Sequence, residues 1–247
     1  MKGAVHIGTS GWSYEHWKGR FYSRRLRSRD MLGHYVKSFR TAEINSSFYR
    51  LPAVATLESW YDTTPPGFVF AAKASRYITH MKKLNDPKAS TAAFFARMRM
   101  LGDKLGPILF QLPPHWSFNE SRLAAFLEAL ADEFRCAFEF RDHGWFNDRA
   151  FELLAEHSAA LCIYELEGFL SPKEITSDLV YVRLHGPSGA YRGSYDERAL
   201  RRWADTFAAW SAQGHSIYCY FDNDEAAYAA RNALRLQAML KPEAMSR

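Results

Sequence analysis

Cysteine is scarce: Cys136, Cys162 and Cys219 are the three in a chain of 247 residues. They lie far apart inside apolar runs, none has a partner at metal-ligand spacing, and an odd number cannot pair off completely. Buried, reduced thiols are the reading this supports. Long hydrophobic runs are missing too. No stretch approaches the roughly 18 apolar residues of a membrane span, and Met1-Lys2-Gly3-Ala4-Val5-His6 has no apolar h-region. A cytoplasmic protein without a membrane partner is therefore expected. Neither an HExxH pair nor a His cluster is present, there is no Walker or dinucleotide fingerprint, and no G-x-S-x-G elbow occurs. The sequence thus calls for no metal, no cofactor and no serine nucleophile.

What remains is ordinary globular material, 47% hydrophobic and 24% charged, which excludes a disordered, collagen-like or coiled-coil chain. Eight short β-rich runs recur along it: Ala4–Gly8, Thr41–Ser46, Phe68–Lys73, Pro107–Gln111, Cys136–Arg141, Ala160–Glu165, Leu179–His185 and Ser216–Asp222. Helical periodicity fills the intervals, as in Leu123, Phe126, Leu127, Leu130 and Phe134, or Leu200, Trp203, Phe207 and Trp210. Asp86-Pro87 and Asp196 supply start signals, and Gly214 a stop. Strands alternating with helices imply parallel pairing with right-handed crossovers. Eight such units in this length predict one α/β domain over residues 1–247, a (β/α)8 TIM-barrel-like fold. Only Leu166–Asp178 separates the sixth and seventh strands, with Gly168 and Pro172 inside. A short or irregular connection is expected there, at most a short helix from about Ser171.

In such a barrel the chemistry belongs at the carboxyl ends of the strands. Period-2 reading directs His6, Gly8, Ser10, Glu43, Asn45, Lys73, Gln111, Glu139, Arg141, Tyr164, Arg183, His185 and Asp222 inward. Burying so many polar groups is costly unless they pair or bind something. Glu139 and Arg141 share a strand face and read as a general acid/base beside an anion clamp, or as a mutually neutralising pair. Arg183 and His185 repeat the spacing, ahead of the glycine-rich 186–195 loop. Lys73, among alanines, is a candidate base or Schiff-base amine, against the plainer reading of a salt bridge to Glu43 or Glu139. Asp222 either reaches the mouth or caps the last helix. Aromatic residues interleave with these groups, Trp12 after the first strand and Tyr191 after the seventh among them, and aromatic faces beside cations suit stacked sugars or bases.

Ile7-Gly8-Thr9-Ser10-Gly11-Trp12, Glu43 through Tyr49, Phe70 through Lys73 with Thr79-His80, and Phe110-Gln111-Leu112-Pro113-Pro114 form a recognisable series. Phe138-Glu139-Phe140-Arg141 with Trp145, Val182 through Gly186, and Phe221-Asp222-Asn223-Asp224 complete it. In this order, over almost the whole chain, they resemble the domain-of-unknown-function 72 family, also called YecE-like. The resemblance implies a TIM-barrel-like fold and carries no catalytic residues. One departure is that the family's last strand usually reads Phe-Asn-Asn-Asp, whereas position 222 here is Asp.

Three functions remain in view. The first is an enzyme, a hydrolase or lyase, acting on a small anionic or polyhydroxylated ligand such as a sugar phosphate or nucleotide fragment. In it Glu139, His185 and Lys73 would be catalytic, and Arg141, Arg183, Asn45, Gln111, Asp222, Trp12, Tyr164 and Tyr191 would bind the ligand. The second is nucleic-acid binding or processing through residues 18–29, which hold six basic and no acidic side chains. Taking those six from the 32 Lys+Arg leaves 26 against 27 Asp+Glu, so the formal net charge of +5 belongs to one loop. The third is a non-catalytic ligand-binding barrel.

Overall fold

The structure, a computed structural model, describes residues 2–130 and 134–240. Its strands are β1 (Val5–Thr9), β2 (Thr41–Ile44), β3 (Val69–Lys73), β4 (Leu105–Gln111), β5 (Cys136–Glu139), β6 (Ala160–Leu166), β7 (Phe169–Leu170), β8 (Leu179–Leu184) and β9 (Ser216–Phe221). Around them lie α1 (Met31–Tyr35), α2 (Val54–Thr63), α3 (Pro87–Met98), α4 (Glu120–Glu128), α5 (Asp148–Glu156), α6 (Glu197–Ala212) and α7 (Tyr228–Leu240). All strands but β7 pair in parallel, in the order β1-β9-β8-β6-β5-β4-β3-β2. The two ends of that order meet at one bridge, Ser10 with Glu43, where the Gly11 amide donates to the Glu43 carbonyl at 2.8 Å. This is the (β/α)8 TIM-barrel-like architecture expected from the alternation of strands and helices. None of the described helices is long and apolar enough to cross a membrane.

Strand periodicity divides the apolar residues into two layers. Phe70, Ile108, Phe110, Phe138, Ile163, Val182 and Phe221 face outward against the helices. Ala71, Leu109, Ala137, Ala160, Cys162, Tyr181, Tyr218 and Tyr220 fill the barrel interior. The alanines, with Gly8, make room for the three tyrosines and for the long side chains above them. The cysteines are free and buried. Gly8 is fixed by the seam, because a Cβ there would lie 2.3 Å from the Thr41 carbonyl oxygen. Backbone cannot yield as a side-chain tip can, so Gly8→Ala is expected to lower stability by about 2 kcal/mol. Urea unfolding measures it, and an unchanged midpoint would mean the β1–β2 seam opens at no cost.

The connection after β6 departs from expectation, since no helix starts at Ser171 or elsewhere between β6 and β8. Glu167 and Gly168, both at positive φ, reverse the chain into β7, which pairs antiparallel with β6. Pro172 follows, and the coil then runs back beside β6. The Tyr164 amide donates to Ser171 Oγ and the Leu161 amide to Thr176 Oγ1, both at 2.9 Å. Two hydroxyls thus complete hydrogen bonds that a helical crossover would have left to other groups. At α6 the Asp196 carboxylate caps the Ala199 amide at 2.7 Å, as the sequence signals. Asp86 precedes α3 without such a bond and holds Lys82 Nζ at 3.1 Å instead. Of the run Leu123 to Phe134, α4 covers residues up to Glu128, and residues 131–133 lie outside the described part.

Candidate functional site

Arg183, on β8, stands at the centre of the carboxyl-terminal mouth with 1% of its surface exposed. Nε and one Nη meet Glu43 as a fork, at 3.1 and 2.8 Å. That Nη also reaches Asp222 Oδ2 at 3.1 Å and Ser10 Oγ at 3.3 Å. The other Nη donates to Glu139 Oε2 at 2.9 Å and faces His185 Nε2 at 3.4 Å. A guanidinium has five N–H donors, and these partners account for all of them. The expected role of Arg183 as a ligand clamp therefore gives way to an internal one, for want of a free donor or an exposed edge. Glu43 is completed by Tyr181 Oη at 2.7 Å and Ser10 Oγ at 2.5 Å. Residues on β2 and β5 and just after β1, β8 and β9 are thereby tied to one cation.

The next tier is built on this clamp. Arg141 donates through Nε to Glu139 Oε1, gives a second N–H to His185 Nε2 at 3.0 Å, and lies 4.8 Å over the Tyr164 ring. His185 Nδ1 stands 3.1 Å from Asp222 Oδ2. Asp222 thus belongs to the mouth, and of the two sequence readings the cap of the last helix is the one that fails. Burial, then Arg183, pushes the His185 pKa down, leaving a neutral imidazole whose Nε2 accepts from Arg141. For Glu139 and Asp222 burial works toward the neutral acid and loses. Arg141 and then Arg183 hold Glu139 well below the ordinary carboxylate value, and Arg183 followed by the His185 bond lowers Asp222.

Lys73, at the end of β3, is the exception. It is 7% exposed and, among the described residues, has no ion pair or hydrogen bond to its ε-amine. The amine rests 4.3 Å from the Phe48 ring centroid. Burial, and next the charge of Arg183, lowers its pKa from 10.5 to about 8. The salt bridge to Glu43 or Glu139 that the sequence made the plainer reading does not form, because both carboxylates turn to arginine. His80 stands nearby on a π-helical turn, Tyr77–Met81, with its ring edge-on to Phe48 at 5.0 Å. His80 is not among the site residues expected from the sequence, where it enters only through the Thr79-His80 motif, and π-turns concentrate at functional sites without a residue signature of their own.

Two hollows open at this end. One of about 490 Å³ is lined by Gln111, Arg141, His143, Tyr164 and Phe169, so that the β6–β7 hairpin forms its wall. The other, about 620 Å³, lies between the loop after β1 and the β2–α2 segment. Asn45 is there, its side-chain oxygen buried with no hydrogen-bond partner. Trp12 packs edge-on against Trp60 as part of that wall rather than over the barrel axis. Tyr191 is 45% exposed, its ring edge-on to His185 with the ring centroids 5.5 Å apart. The 18–29 loop meets the larger hollow through Ser28 and Arg29. Its charge is partly spent locally, as Lys18 pairs with Glu15, and Arg27 and Arg29 face Asp30. His6 is at the far end of the barrel, stacked on Tyr218 at 4.4 Å.

A closed parallel barrel with its polar groups gathered at the carboxyl ends of the strands places the chain among the (β/α)8-barrel proteins. The family model described as "Protein of unknown function DUF72" matches residues 6–247, and the chain belongs to that family. It is similar over 97% of its length to the UPF0759 protein YunF of Bacillus subtilis (strain 168), at 23% identity and 95% of that protein. The UPF0759 protein YecE of Escherichia coli (strain K12) is 29% identical over 58% of this chain and 50% of its own length. Among solved structures, a DUF72 family protein from Thermotoga maritima MSB8 superposes with a TM-score of 0.86 at 28% identity, covering 97% of this chain and 100% of that one.

Proposed function

We propose that this barrel is an enzyme for a small anionic or polyhydroxylated ligand, a sugar phosphate or nucleotide fragment, bound over Lys73 and Arg141. The observation that carries this is the unpaired Lys73 ammonium in a mouth whose other buried charges are all matched. An unpaired buried cation is costly, and an anion arriving from solvent supplies the missing partner. Arg141, 11% exposed, keeps an edge on the smaller hollow beside Gln111 and Tyr164. Gln111 and the unsatisfied Asn45 suit hydroxyl groups.

Proton transfer divides unevenly among the candidates. A carboxylate held as firmly ionised as Glu139 is a weak base and a poor proton donor, and its part is to position Arg141. His185 becomes available as a base when an anion draws Arg141 away from Nε2. Asp222 then stabilises the imidazolium from the other side.

Calorimetric titration with a panel of sugar phosphates and nucleoside monophosphates tests the reading. At least one compound is expected to bind, and Arg141→Ala and Lys73→Met are each expected to weaken it by about tenfold or more, the ~1.4 kcal/mol of a charge-assisted hydrogen bond. A panel with no binder, or binding indifferent to both substitutions, defeats it. Turnover of the bound compound separates an enzyme from a binding barrel.

A further inference from the structure

We infer that Lys73 is an amine nucleophile that forms an iminium adduct with the carbonyl carbon of a small anionic aldehyde or ketone bound at the barrel mouth. This rests on the anion-binding reading above and narrows its substrate to carbonyl compounds.

The first support is what surrounds the amine. A structural lysine at a strand end finds a carboxylate, and three are close enough to act on the Lys73 charge, namely Glu139, Glu43 and Asp222. All three are taken by Arg183, Arg141 or His185. Two guanidinium groups outcompete the single ammonium because a planar fork matches carboxylate geometry and a point charge does not. The amine is left on the Phe48 ring, which steadies a cation without removing its lone pair once the proton is gone.

The second support is rigidity at its root. Ser47 Oγ donates to the Lys73 carbonyl at 2.6 Å, and the Ala74 amide to the Leu109 carbonyl at 2.8 Å. Ala71, Ala72 and Ala74 are fully buried around it. The side chain therefore leaves a fixed point on β3, as an attacking group must.

A proton carrier completes the arrangement. His80 shares the Phe48 ring with Lys73 and bonds Thr79 Oγ1 through Nδ1 at 2.9 Å, while Nε2 makes no hydrogen bond among the described residues. Burial, then the charges of Lys73, Arg76 and Arg141, lower its pKa, so the ring is neutral and able to accept a proton. In the reaction the ammonium first gives one proton to solvent and the neutral amine adds to the carbonyl carbon. A proton then passes from nitrogen to the alkoxide through His80, giving the carbinolamine. His80 relays a second proton from solvent, replacing the one given up, to the carbinolamine hydroxyl. The C–O bond then breaks, water departs, and the lone pair on nitrogen closes the C=N bond. Overall, R–NH3+ and O=CR2 give R–NH+=CR2 and H2O. The positive charge so fixed on nitrogen acidifies the adjacent carbon, and water reverses the adduct.

The full chain is incubated separately with pyruvate and with glyceraldehyde 3-phosphate in the presence of sodium cyanoborohydride, then mapped by peptide mass spectrometry. With its pKa near 8, Lys73 presents on the order of a hundredfold more free amine at pH 7.5 than an ordinary lysine. Expected is one reduced adduct on Lys73, formed at least about tenfold faster than at any other lysine, with a rate that levels off near pH 8. His80→Gln is expected to slow adduct formation while leaving the affinity for the anion unchanged. Labelling spread evenly over the lysines, or absent from Lys73 with both probes, overturns the inference. Calorimetry without reductant separates the two ideas: binding without adduct removes the nucleophile alone, whereas neither binding nor adduct removes the anion site as well. Lys73→Arg, which keeps the charge, should bind without labelling.

Discussion

Arg183→Met is expected to cost about 3–5 kcal/mol at pH 7, the price of leaving buried charges without their partner. That is a large share of the stability of a typical folded chain. The barrel wall tolerates methionine by volume, so the loss is electrostatic. Glu43, Glu139 and Asp222 would remain packed at the mouth, facing one another across the space the guanidinium filled. The pH dependence should then change sign. In the wild type the Glu139 and Asp222 pKa values lie below their unfolded values. Their contribution is fully present above about pH 4.5 and is lost as pH falls toward the folded values. Without Arg183, Asp222 loses its main counter-charge and burial raises its carboxyl, while Glu139 keeps Arg141, so at Asp222 the folded state takes up a proton more readily than the unfolded one. Urea unfolding at pH 7 and pH 5 should show the variant gaining stability on acidification while the wild type does not gain. A variant as stable as the wild type at pH 7 would show that the network is solvated and that the clamp described above does not hold the mouth together. Arg183→Lys is expected to fall between, because a lysine cannot reproduce the fork to Glu43.

Much of this mouth is legible in the sequence, for a geometric reason. A strand alternates its side chains, so once the eight strands are placed, Glu139 and Arg141 or Arg183 and His185 must share the inner face. What alternation does not encode is which partner each charge takes across the barrel. Arg183 and Glu43 are 140 residues apart, and their fork decides that Arg183 turns inward, that Glu43 is satisfied, and that Lys73 is left alone. His80 stands in a motif of the sequence, but its place beside Lys73 is not legible there, since a π-helical turn has no periodicity to find. The β6–β7 hairpin escaped because a two-residue strand, Phe169–Leu170, is too short to alternate. Its effect is nonetheless direct, as it supplies a wall of the hollow that Arg141 and Gln111 line.

Lys73→Met should stabilise the protein at pH 7 while abolishing adduct formation, and the two effects together distinguish a functional lysine from a structural one. The ordinary lysine pKa of 10.5 falls to about 8 in the folded chain. Between those values the unfolded state binds more protons, so stability rises with pH through that window. Below pH 8 both states are protonated and the cost is present in full, up to about 3 kcal/mol for a shift of this size. Methionine, unbranched and able to lie on Phe48 as the lysine stem does, removes that cost without opening a large cavity. The gain should therefore be largest at pH 7 and nearly gone by pH 10.5, as followed by denaturant titration at both pH values. Destabilisation at pH 7 would mean that Lys73 holds the mouth together, and the argument from its missing partner would fail. Stabilisation at pH 7 together with loss of the adduct would mark Lys73 as a side chain whose cost to the fold is offset by a ligand.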